Sequence, residues 1–597
     1  MFKKFGLFFL TCAMTLAFGQ AQVFGFEALG GDLEINGFLR NDSAIRLSDG
    51  HSNLHGQDVL VSTDSSTGIL VDPANPLSPT NGLPNSLLTG GADMAEGFDS
   101  GDYSLCRNTL QFEVGWKMKK GVSLYGIWRG YYNAALEIDR DQEQRMIDAG
   151  SRDEIDDFER DYEMREIFID ITPGNWNFRI GKQQIIWGES DGFRMADIIN
   201  PLDYSWHYFF PSWEDIRIPL WGVDIMYSLP SMNEYTFEFV WLPGAFNNGF
   251  QPNKLAPFGT NWSMGFFNQY FHSSIGKSFP GMDPFFPGFV ALGTDNSTGT
   301  VQFFNKSVEK STPDNSIQNS EVGMRINAMF GAFDVCLFDF YSRSDNPVFE
   351  KDWFSKFLSG VLGGNLYDYQ DEIFQYPWVN KTGATFNVYE EVTETVFRGE
   401  CVYSMDEPFL PKNAFPENAT AAFTNSLTNA VVGTGQAMGY APYLALPYPL
   451  MPTVDPGYTK TYYKDTFAYM LGFDRPTMIP WLNPTKSFFI SGQVFQKYIL
   501  DFDDDQTTME QSHDDVQTLF TFLVNTGYYH NKIRPQVFMM YDCSGEGWVQ
   551  PQVEFVYGNY WRFGIGANLI YSNNKTQGYF GGMRDNDDLY AWASFSW

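Results

Sequence analysis

The amino-acid sequence predicts an all-β fold: a transmembrane antiparallel β-barrel of about 18 strands, with roughly 16–18 expected, and long extracellular loops. Three observations carry this prediction. Apolar and polar residues alternate along many segments, short and long connections alternate between those segments, and the chain begins with an export signal. Alternation with a period of two is typical of strands that bury one face.

The N-terminus has the pattern of a secretory signal peptide. Two lysines precede an apolar run over residues 5–18, and small residues precede a cleavage site after Ala21. This run is shorter than the about 20 residues that a membrane-spanning helix needs. We therefore predict that residues 1–21 are a cleaved signal peptide, that residues 22–597 form the barrel, and that it resides in the outer membrane of a Gram-negative bacterium.

Composition excludes several other classes of protein. The chain has 39 Lys+Arg against 72 Asp+Glu, a net charge of −33, whereas a nucleic-acid partner requires a basic surface. Aromatic residues reach 17%, yet the mean hydropathy is −0.28. After the signal peptide, no apolar stretch reaches the about 18 residues of a transmembrane helix. An exported chain of this kind is either a soluble β-protein or a barrel.

Residues 105–118 show the alternation clearly. Even positions carry Leu110, Phe112 and Trp116, and most odd positions are polar. In a soluble sandwich the apolar face would cover a core, whereas successive charged and amide residues on the other face favour a water-filled lumen inside a lipid-facing wall. The candidate lumen-facing residues are Arg107, Gln111, Glu113, Arg129, Gln550, Gln552 and Glu554.

Eighteen candidate strands begin near Leu33, Ser104, Gly121, Tyr162, Asn175, Arg217, Asn233, Asn319, Ala332, Gly383, Glu394, Lys464, Ser487, Asp514, Asn531, Gly547, Asn559 and Asp587. Short links alternate with long ones, as in a barrel with short periplasmic turns, long outer loops and both termini inside. Large outer loops are expected at about 48–102, 137–161, 188–216, 243–318, 344–382 and 405–463. Two connections depart from the rule: residues 474–486 are long where a turn is expected, and residues 543–546 are short where a loop is expected.

The last residues alternate up to a terminal aromatic residue. One face carries Leu589, Ala591, Ala593, Phe595 and Trp597. This ending resembles the C-terminal signal by which outer-membrane barrels are recognised for assembly. The expected partners are therefore outer-membrane lipid and the barrel-assembly machinery, with no nucleic acid.

Motifs of common enzymes are missing from the sequence, including a Walker loop, an HExxH zinc motif and a GxSxG nucleophile. The six His are scattered, and the Cys residues after the signal peptide stand alone. Acidic residues around 501–515 could hold Ca²⁺ through oxygen ligands, but they lack the EF-hand pattern. We predict no enzyme activity, no cofactor and no metal site.

The densest group of motif residues lies between the fifth and sixth predicted strands. A G-x-Q-x-x-x-W-G-E strand end, an I-N-P-x-D loop and a later R-x-P follow one another there. This segment resembles the Gram-negative outer-membrane proteins of the domain of unknown function 1302 (DUF1302) family. The resemblance implies a porin-like barrel and, by association, envelope transport of hydrophobic compounds. The matching positions are Gly181, Gln183, Trp187, Gly188, Glu189, Ile199, Asn200, Pro201, Asp203, Arg217 and Pro219.

Trp187, Gly188 and Glu189 are expected to end a strand at the outer rim, where Gly188 lets the chain turn sharply. Asn200 and Pro201 would fix a turn in the loop that follows. An ion-pair network is possible among Glu189, Asp203, Glu214, Asp215 and Arg217. Two interpretations stay open: the network braces the loop against the wall, or the loop folds inward as a constriction that sets selectivity.

The expected function is a channel or transporter for small molecules across the outer membrane. An apolar or aromatic solute is expected because two outer loops carry more aromatic residues than loops facing water need. The candidate ligand-contacting residues are Phe266, Phe267, Phe271, Phe285, Phe286, Tyr440 and Tyr443. The alternatives are a general porin for sugars or ions and a non-conducting barrel with a structural or surface-binding role. The pattern is also compatible with a homo-oligomer.

Overall fold

The computed structural model describes residues 24–28, 31–47, 62–64, 69–71, 100–119, 121–141, 143, 159–203, 212–230, 234–244, 312–345, 348–350, 374–411, 461–502, 506–507, 515–573, 580 and 587–597. Residues 1–21 lie outside these ranges, so the signal peptide stays a prediction. The candidate apolar ligand residues of the two aromatic loops also lie outside them.

Eighteen long strands form one antiparallel sheet. They are β1 (Gly31–Arg46), β2 (Tyr103–Lys119), β3 (Val122–Asn133), β4 (Arg160–Ile171), β5 (Trp176–Gln183), β6 (Leu220–Leu229), β7 (Tyr235–Leu242), β8 (Glu321–Phe330), β9 (Phe333–Arg343), β10 (Trp378–Glu390), β11 (Thr395–Pro411), β12 (Tyr462–Thr477), β13 (Phe488–Ile499), β14 (Val516–Asn525), β15 (Ile533–Asp542), β16 (Glu546–Tyr557), β17 (Trp561–Ser572) and β18 (Asp588–Ser596).

Each strand pairs with its neighbours in the sequence, and the last strand returns to the first. The pairing of β18 with β1 runs from Phe38 opposite Ser596 to Arg46 opposite Asp588, and β1 also pairs with β2. The sheet is therefore closed, and a closed barrel leaves no long edge strand. The predicted all-β antiparallel barrel of eighteen strands is confirmed.

Short strands and single turns supplement the barrel. Phe24–Ala28 pairs with the start of β1, and Gln506–Thr507 pairs with the end of β11. Two further pairs of short strands are Ser62–Asp64 with Ile69–Val71 and Val348–Phe349 with Phe374–Gln375. Helical elements of the described ranges include α1 (Ala135–Ile138), α2 (Trp213–Ile216) and the 3₁₀ turn Ile317–Asn319.

None of the helices in the described part of the chain is long and apolar enough to cross a membrane.

Strand boundaries differ from the sequence-based expectation at several places, among them β5, β10 and β11. β10 begins at Trp378, five residues before the predicted start. β11 extends to Pro411 because a register shift between Ser404 and Glu407 lets its pairing with β12 continue. A further difference lies at β5, which ends at Gln183 and not at Glu189. Trp187, Gly188 and Glu189 therefore do not end a strand at the rim, and they lie inside the barrel.

Two faces alternate along the strands. On β9 the side chain of Leu337 is 58% exposed, whereas those of Cys336 and Phe338 are buried. Because the sheet closes on itself, the exposed set faces outward and the buried set faces the interior. Apolar residues dominate the exposed set, including Phe239, Met324, Leu337, Phe397, Leu471, Phe520 and Ile565.

The largest apolar cluster lies inside the barrel. Inward side chains of β7, β9 and β11 to β17 pack against the segment that joins β5 to β6. Wall members of this cluster include Leu242, Phe340, Met470, Phe495, Phe538, Trp548 and Ile570. A continuous cluster of buried apolar side chains thus surrounds part of this segment.

The C-terminal residue contributes to closure of the barrel. The backbone N–H of Trp597 donates to the Gly37 carbonyl at 3.0 Å, and the Gly37 N–H donates back at 3.3 Å. Its ring lies 5.8 Å from the Phe112 ring and 6.1 Å from the Phe595 ring. These contacts connect the last strand to the first two.

We expect deletion of Trp597, or replacement of Phe595 and Trp597 by Ser, to reduce the amount of assembled barrel. Either change removes the ring contact between Trp597 and Phe112 of β2, and the deletion also removes the backbone pair with Gly37 of β1. The measurement is the fraction of protein whose gel mobility changes on boiling, with wild type as the reference. An assembled fraction equal to that of wild type would contradict the expectation.

Candidate constriction inside the barrel

The connection between β5 and β6, residues 184–219, enters the barrel and is called the inserted segment below. Gln183 and Leu220 are paired neighbours, so the segment leaves and rejoins the wall at one place. Its far end reaches β13, where the Asp191 N–H donates to Gln493 at 3.1 Å and Phe193 meets Phe495 at 5.5 Å. The segment therefore crosses the interior. Its residues 204–211 lie outside the described ranges.

Trp187 is wedged between the inserted segment and the wall. The side chain is buried, and its indole N–H donates to Glu238 of β7 at 2.9 Å. The ring lies 5.6 Å from Phe338 and under the guanidinium of Arg325, which also pairs with Glu238. Gly323 makes room for this ring, because a Cβ there would stand 2.7 Å from the indole. The buried indole N–H thus has a charged partner, as burial requires.

Gly188 allows the inserted segment to fold back on itself. A Cβ at this position would stand 2.4 Å from the backbone nitrogen of Asp197. Two stretches of the segment therefore approach each other so closely at residue 188 that only glycine fits there. The bend of the chain lies at residues 191–193, so Gly188 is a point of close approach inside the barrel and not the sharp turn at the rim that the sequence predicts.

Two charged side chains of β11 hold the far part of the segment. The Glu400 carboxylate accepts the N–H groups of Glu189 at 2.5 Å and Ala196 at 2.8 Å. Arg398 donates to the Glu189 carbonyl and to the Asp191 carboxylate, both at 2.6 Å. Charge-assisted hydrogen bonds of this length are the strong ones. They fix the backbone of the segment to the wall.

Asn200 and Pro201 join the two ends of the segment. The Asn200 side chain accepts the Ile185 N–H and donates to the Ile218 carbonyl, both at 2.8 Å. The Ile218 N–H donates to the Pro201 carbonyl at 2.8 Å, and the Asp203 N–H donates to the Ile216 carbonyl at 2.7 Å. Asn200 and Pro201 thus anchor a short set of backbone hydrogen bonds that holds residues 201–203 against residues 216–218.

Arg217 pairs with Asp197, a residue that the sequence analysis did not select. Both side chains are buried, and the Asp197 carboxylate accepts two hydrogen bonds from Arg217 at 2.7 Å. The Arg194 guanidinium also lies 3.2 Å from this carboxylate. Glu189 is exposed, and its carboxylate accepts from Asn387 of β10. The ion-pair network therefore does not join Glu189 to Arg217.

Arginines of the first strands hold α2 against the opposite wall. The Asp215 carboxylate accepts from Arg129 of β3 at 2.7 Å and from Arg40 of β1 at 3.1 Å. Arg165 of β4 donates to the carbonyl groups of Glu214 at 3.0 Å and Arg217 at 2.9 Å. Burial alone would raise the pKa of Asp215, but the charges of Arg40, Arg129 and Arg165 outweigh it and lower this pKa to about 2.

We expect docking of α2 to be independent of pH from about 8 to 5. The folded pKa of Asp215 lies below the ordinary Asp value of about 3.9, so its contribution is complete above that value and is lost as the pH falls towards 2. The lowering of the Asp215 pKa from its ordinary value to about 2 corresponds to roughly 2 kcal/mol of docking free energy, which is lost when this carboxylate is protonated.

Amide hydrogen exchange at Arg217 and Ile218, corrected for its intrinsic pH dependence, measures this docking. Protection should fall below about pH 4 in the wild type and should show no such transition in Asp215→Asn. A transition near neutral pH in the wild type would contradict the assignment.

The predicted lumen-facing residues lie on the inner face. Arg107 is buried with its guanidinium 4.8 Å from the Tyr131 ring. The others are linked to inner-face partners: Gln111 to Glu113 and Arg129, Gln550 to Asn568, Gln552 to Tyr590, and Glu554 to Arg534.

Sequence reasoning missed the wall residues that hold the segment. These are Arg40, Arg165, Glu238, Arg325, Arg398 and Glu400. Each is a single polar residue on a strand with no motif around it. The sequence signal that could have found them is strand alternation. Arg398, Glu400 and Val402 follow one another at every second position of β11, on the face that points inward.

The fold and this site define a class of protein: a closed barrel of eighteen strands whose interior is crossed by an inserted segment. Within that class, the family described as "Protein of unknown function (DUF1302)" matches residues 4–596. The chain belongs to this family, which confirms the predicted resemblance. No curated protein matches the chain.

Solved outer-membrane structures are similar at low sequence identity. Acinetobacter baumannii OccAB3 has a TM-score of 0.41 at 6% identity, with 95% of this chain and 99% of that chain covered. The outer membrane protein OpdK from Pseudomonas aeruginosa gives the same four values. Salmonella typhi OmpF, in a complex with daunomycin, has a TM-score of 0.37 at 7% identity, covering 96% of this chain and 100% of that chain.

Proposed function

We propose that this protein is a channel for small molecules across the outer membrane, and not an enzyme. The observation that carries the proposal is the outward face of the closed barrel, where residues such as Met324, Leu337 and Leu471 are large, apolar and about half exposed. Apolar residues on a contiguous outer band favour contact with lipid. A closed barrel meets the requirement that a bilayer places on a spanning backbone, because every strand finds its partner within the sheet.

The inserted segment is the constriction of this channel. It is anchored on β11 through Arg398 and Glu400 and on the opposite wall through Asp215, so it narrows any path along the barrel axis. Bracing the wall alone would not require contacts with both sides of the interior. A constriction of this kind sets which solutes pass, by its size and by the groups that line it.

The proposed solute is apolar or aromatic. Inward residues of β9 and β11 to β16 that surround the segment include many apolar side chains, among them Phe340, Met470 and Phe538. Ligand pockets are lined mainly by such side chains with a few polar groups, whereas a sugar or ion path would need polar partners along its length. The aromatic composition of residues 258–289 and 440–451 points the same way.

The test uses purified protein in planar bilayers and in proteoliposomes. We expect ion conductance, together with saturable binding of a fatty acid, a steroid or an aromatic hydrocarbon. Swelling of proteoliposomes in small sugars without binding of any of these compounds would replace the proposal by a general porin.

A non-conducting barrel is the second candidate, and one observation favours it. The inserted segment is packed closely, with Ile199 and Ala196 almost completely buried in the interior cluster. A permanently filled interior would serve a structural or surface-binding role. Lack of conductance in planar bilayers, in protein whose gel mobility still changes on boiling, would select this alternative.

A further inference from the structure

We propose that the connection between β12 and β13, residues 478–487, is a membrane anchor that inserts Trp481 into the headgroup region of a phospholipid leaflet. It lies at the end of the barrel where connections are short. The inference rests on the proposed function, because it requires that the outer wall face lipid.

The connection is longer and more apolar than its position requires. Other links at this end, such as residues 331–332 and 391–394, are tight turns. Here the side chain of Trp481 is 81% exposed, and Met478 and Leu482 are exposed beside it. Large apolar side chains grouped on one exposed element mark a binding surface or a membrane contact.

A buried polar core holds this apolar surface in place. Asn483 is fully buried and donates to the Thr526 hydroxyl and the Gly527 carbonyl, both at 3.0 Å, in the neighbouring connection. Its carbonyl oxygen accepts the N–H groups of Thr485 and Lys486 at 3.1 Å. The connection is thus a fixed structure that presents Trp481, and the exposure of this residue follows from the fold.

The local charge suits a phospholipid leaflet. The chain carries 72 Asp and Glu, yet residues 475–500 contain none. Arg475 and Lys486 flank the apolar residues, and both are exposed. Basic residues near an apolar surface are attracted to lipid phosphates and anionic headgroups. A neighbouring turn, residues 391–394, shows the opposite character, with Glu390, Glu391 and Glu394 around Val392.

The connection also continues the outward apolar band of the wall. Leu471 and Phe473 face outward on β12, and Phe522 faces outward on β14. The band leads down β12 to Arg475 and then to the connection. Trp is the side chain that membrane interfaces favour, since its ring is apolar and its indole N–H can bind headgroups or water. A lipid leaflet therefore fits this surface better than a periplasmic protein does.

Spin labels test the proposal in the full chain. Cys401 and Cys543, which are not buried, are first replaced by Ser, and a label is then attached to Trp481→Cys, Leu471→Cys or Val392→Cys in separate samples. Vesicles contain phosphatidylethanolamine and phosphatidylglycerol. The depth parameter is the logarithm of the ratio of collision rates with oxygen and with a water-soluble nickel complex.

We expect a positive depth parameter at Leu471, a smaller positive value at Trp481 and a negative value at Val392. Val392 is the matched control, because it is an apolar residue that is 91% exposed in a short turn at the same end of the barrel. A negative value at Trp481 with a positive value at Leu471 overturns the anchor and leaves the channel intact. A negative value at Leu471 overturns the membrane barrel itself. A label at Trp481 that is shielded only after a periplasmic protein fraction is added assigns the surface to a protein and overturns the anchor.

Discussion

Replacing Trp187 by Ala is expected to widen the constriction and raise the ion conductance of the channel. The indole is buried among Phe338, Phe340 and the inserted segment, so its removal leaves a large cavity at the point where the segment meets the wall. Loss of a buried Trp side chain costs roughly 3–5 kcal/mol when the site cannot collapse. Most of this cost should fall on docking of the segment, because the strand pairing of the wall is unchanged.

Trp187→Phe is the matched control for this prediction. It keeps a ring against Phe338 and Phe340 but removes the hydrogen bond to Glu238, which still pairs with Arg325. Its cost should be near 1.5–3 kcal/mol, about that of one hydrogen bond to a charged group. Single-channel recordings should therefore show a clear increase for Trp187→Ala and a small change for Trp187→Phe. Conductance identical to wild type in both variants would show that Trp187 does not border the solute path.

Replacing Arg217 by Ala should release the inserted segment far more than replacing Glu189 by Ala. Arg217 and Asp197 form a buried pair, and removal of one partner leaves a buried charge poorly compensated, at a cost of roughly 3–5 kcal/mol. Arg194 stays near Asp197 at 3.2 Å, so the lower end of this range is expected. Glu189 is exposed and bonded to Asn387, where an interaction is worth about 0–1 kcal/mol.

Hydrogen exchange of the amides of residues 185–200, with conductance noise as a second readout, measures this release. We expect faster exchange and noisier currents in Arg217→Ala, and wild-type behaviour in Glu189→Ala. The barrel itself should stay heat-modifiable in both variants. Equal effects of the two substitutions would contradict the assigned pairing.

The wall of the barrel could be predicted from the sequence because each strand is recognised from the polarity of residues that are close together in the sequence. Side chains on a strand alternate, and a wall between lipid and interior makes alternate positions differ in polarity. The predicted starts of β2 and β3, for example, lie within a residue of the observed ones. The two irregular connections were also visible in the sequence, since residues 478–487 are long and residues 543–545 are short.

The position of Trp187 shows where this local information ends. Burial of the side chains continues to alternate over residues 180–187 after β5 has ended at Gln183, because an extended segment inside the barrel also buries every second side chain. Its partners could not be inferred either. Glu189 and Glu400 are 211 residues apart, and only closure and register of the sheet bring β11 to the inserted segment. A single residue such as Glu400 carries no mark of its partner in the sequence.

The most direct test of the central claim is to replace residues 188–216 by a short glycine link and measure single-channel conductance. Gln183 and Leu220 are paired neighbours, so a few residues suffice to join the ends without strain on the wall. Change of gel mobility on boiling confirms that the shortened chain is a closed barrel. Conductance should rise several-fold above wild type, because the element that crosses the interior is gone. A folded, shortened barrel with wild-type conductance would contradict the claim that the inserted segment is the constriction.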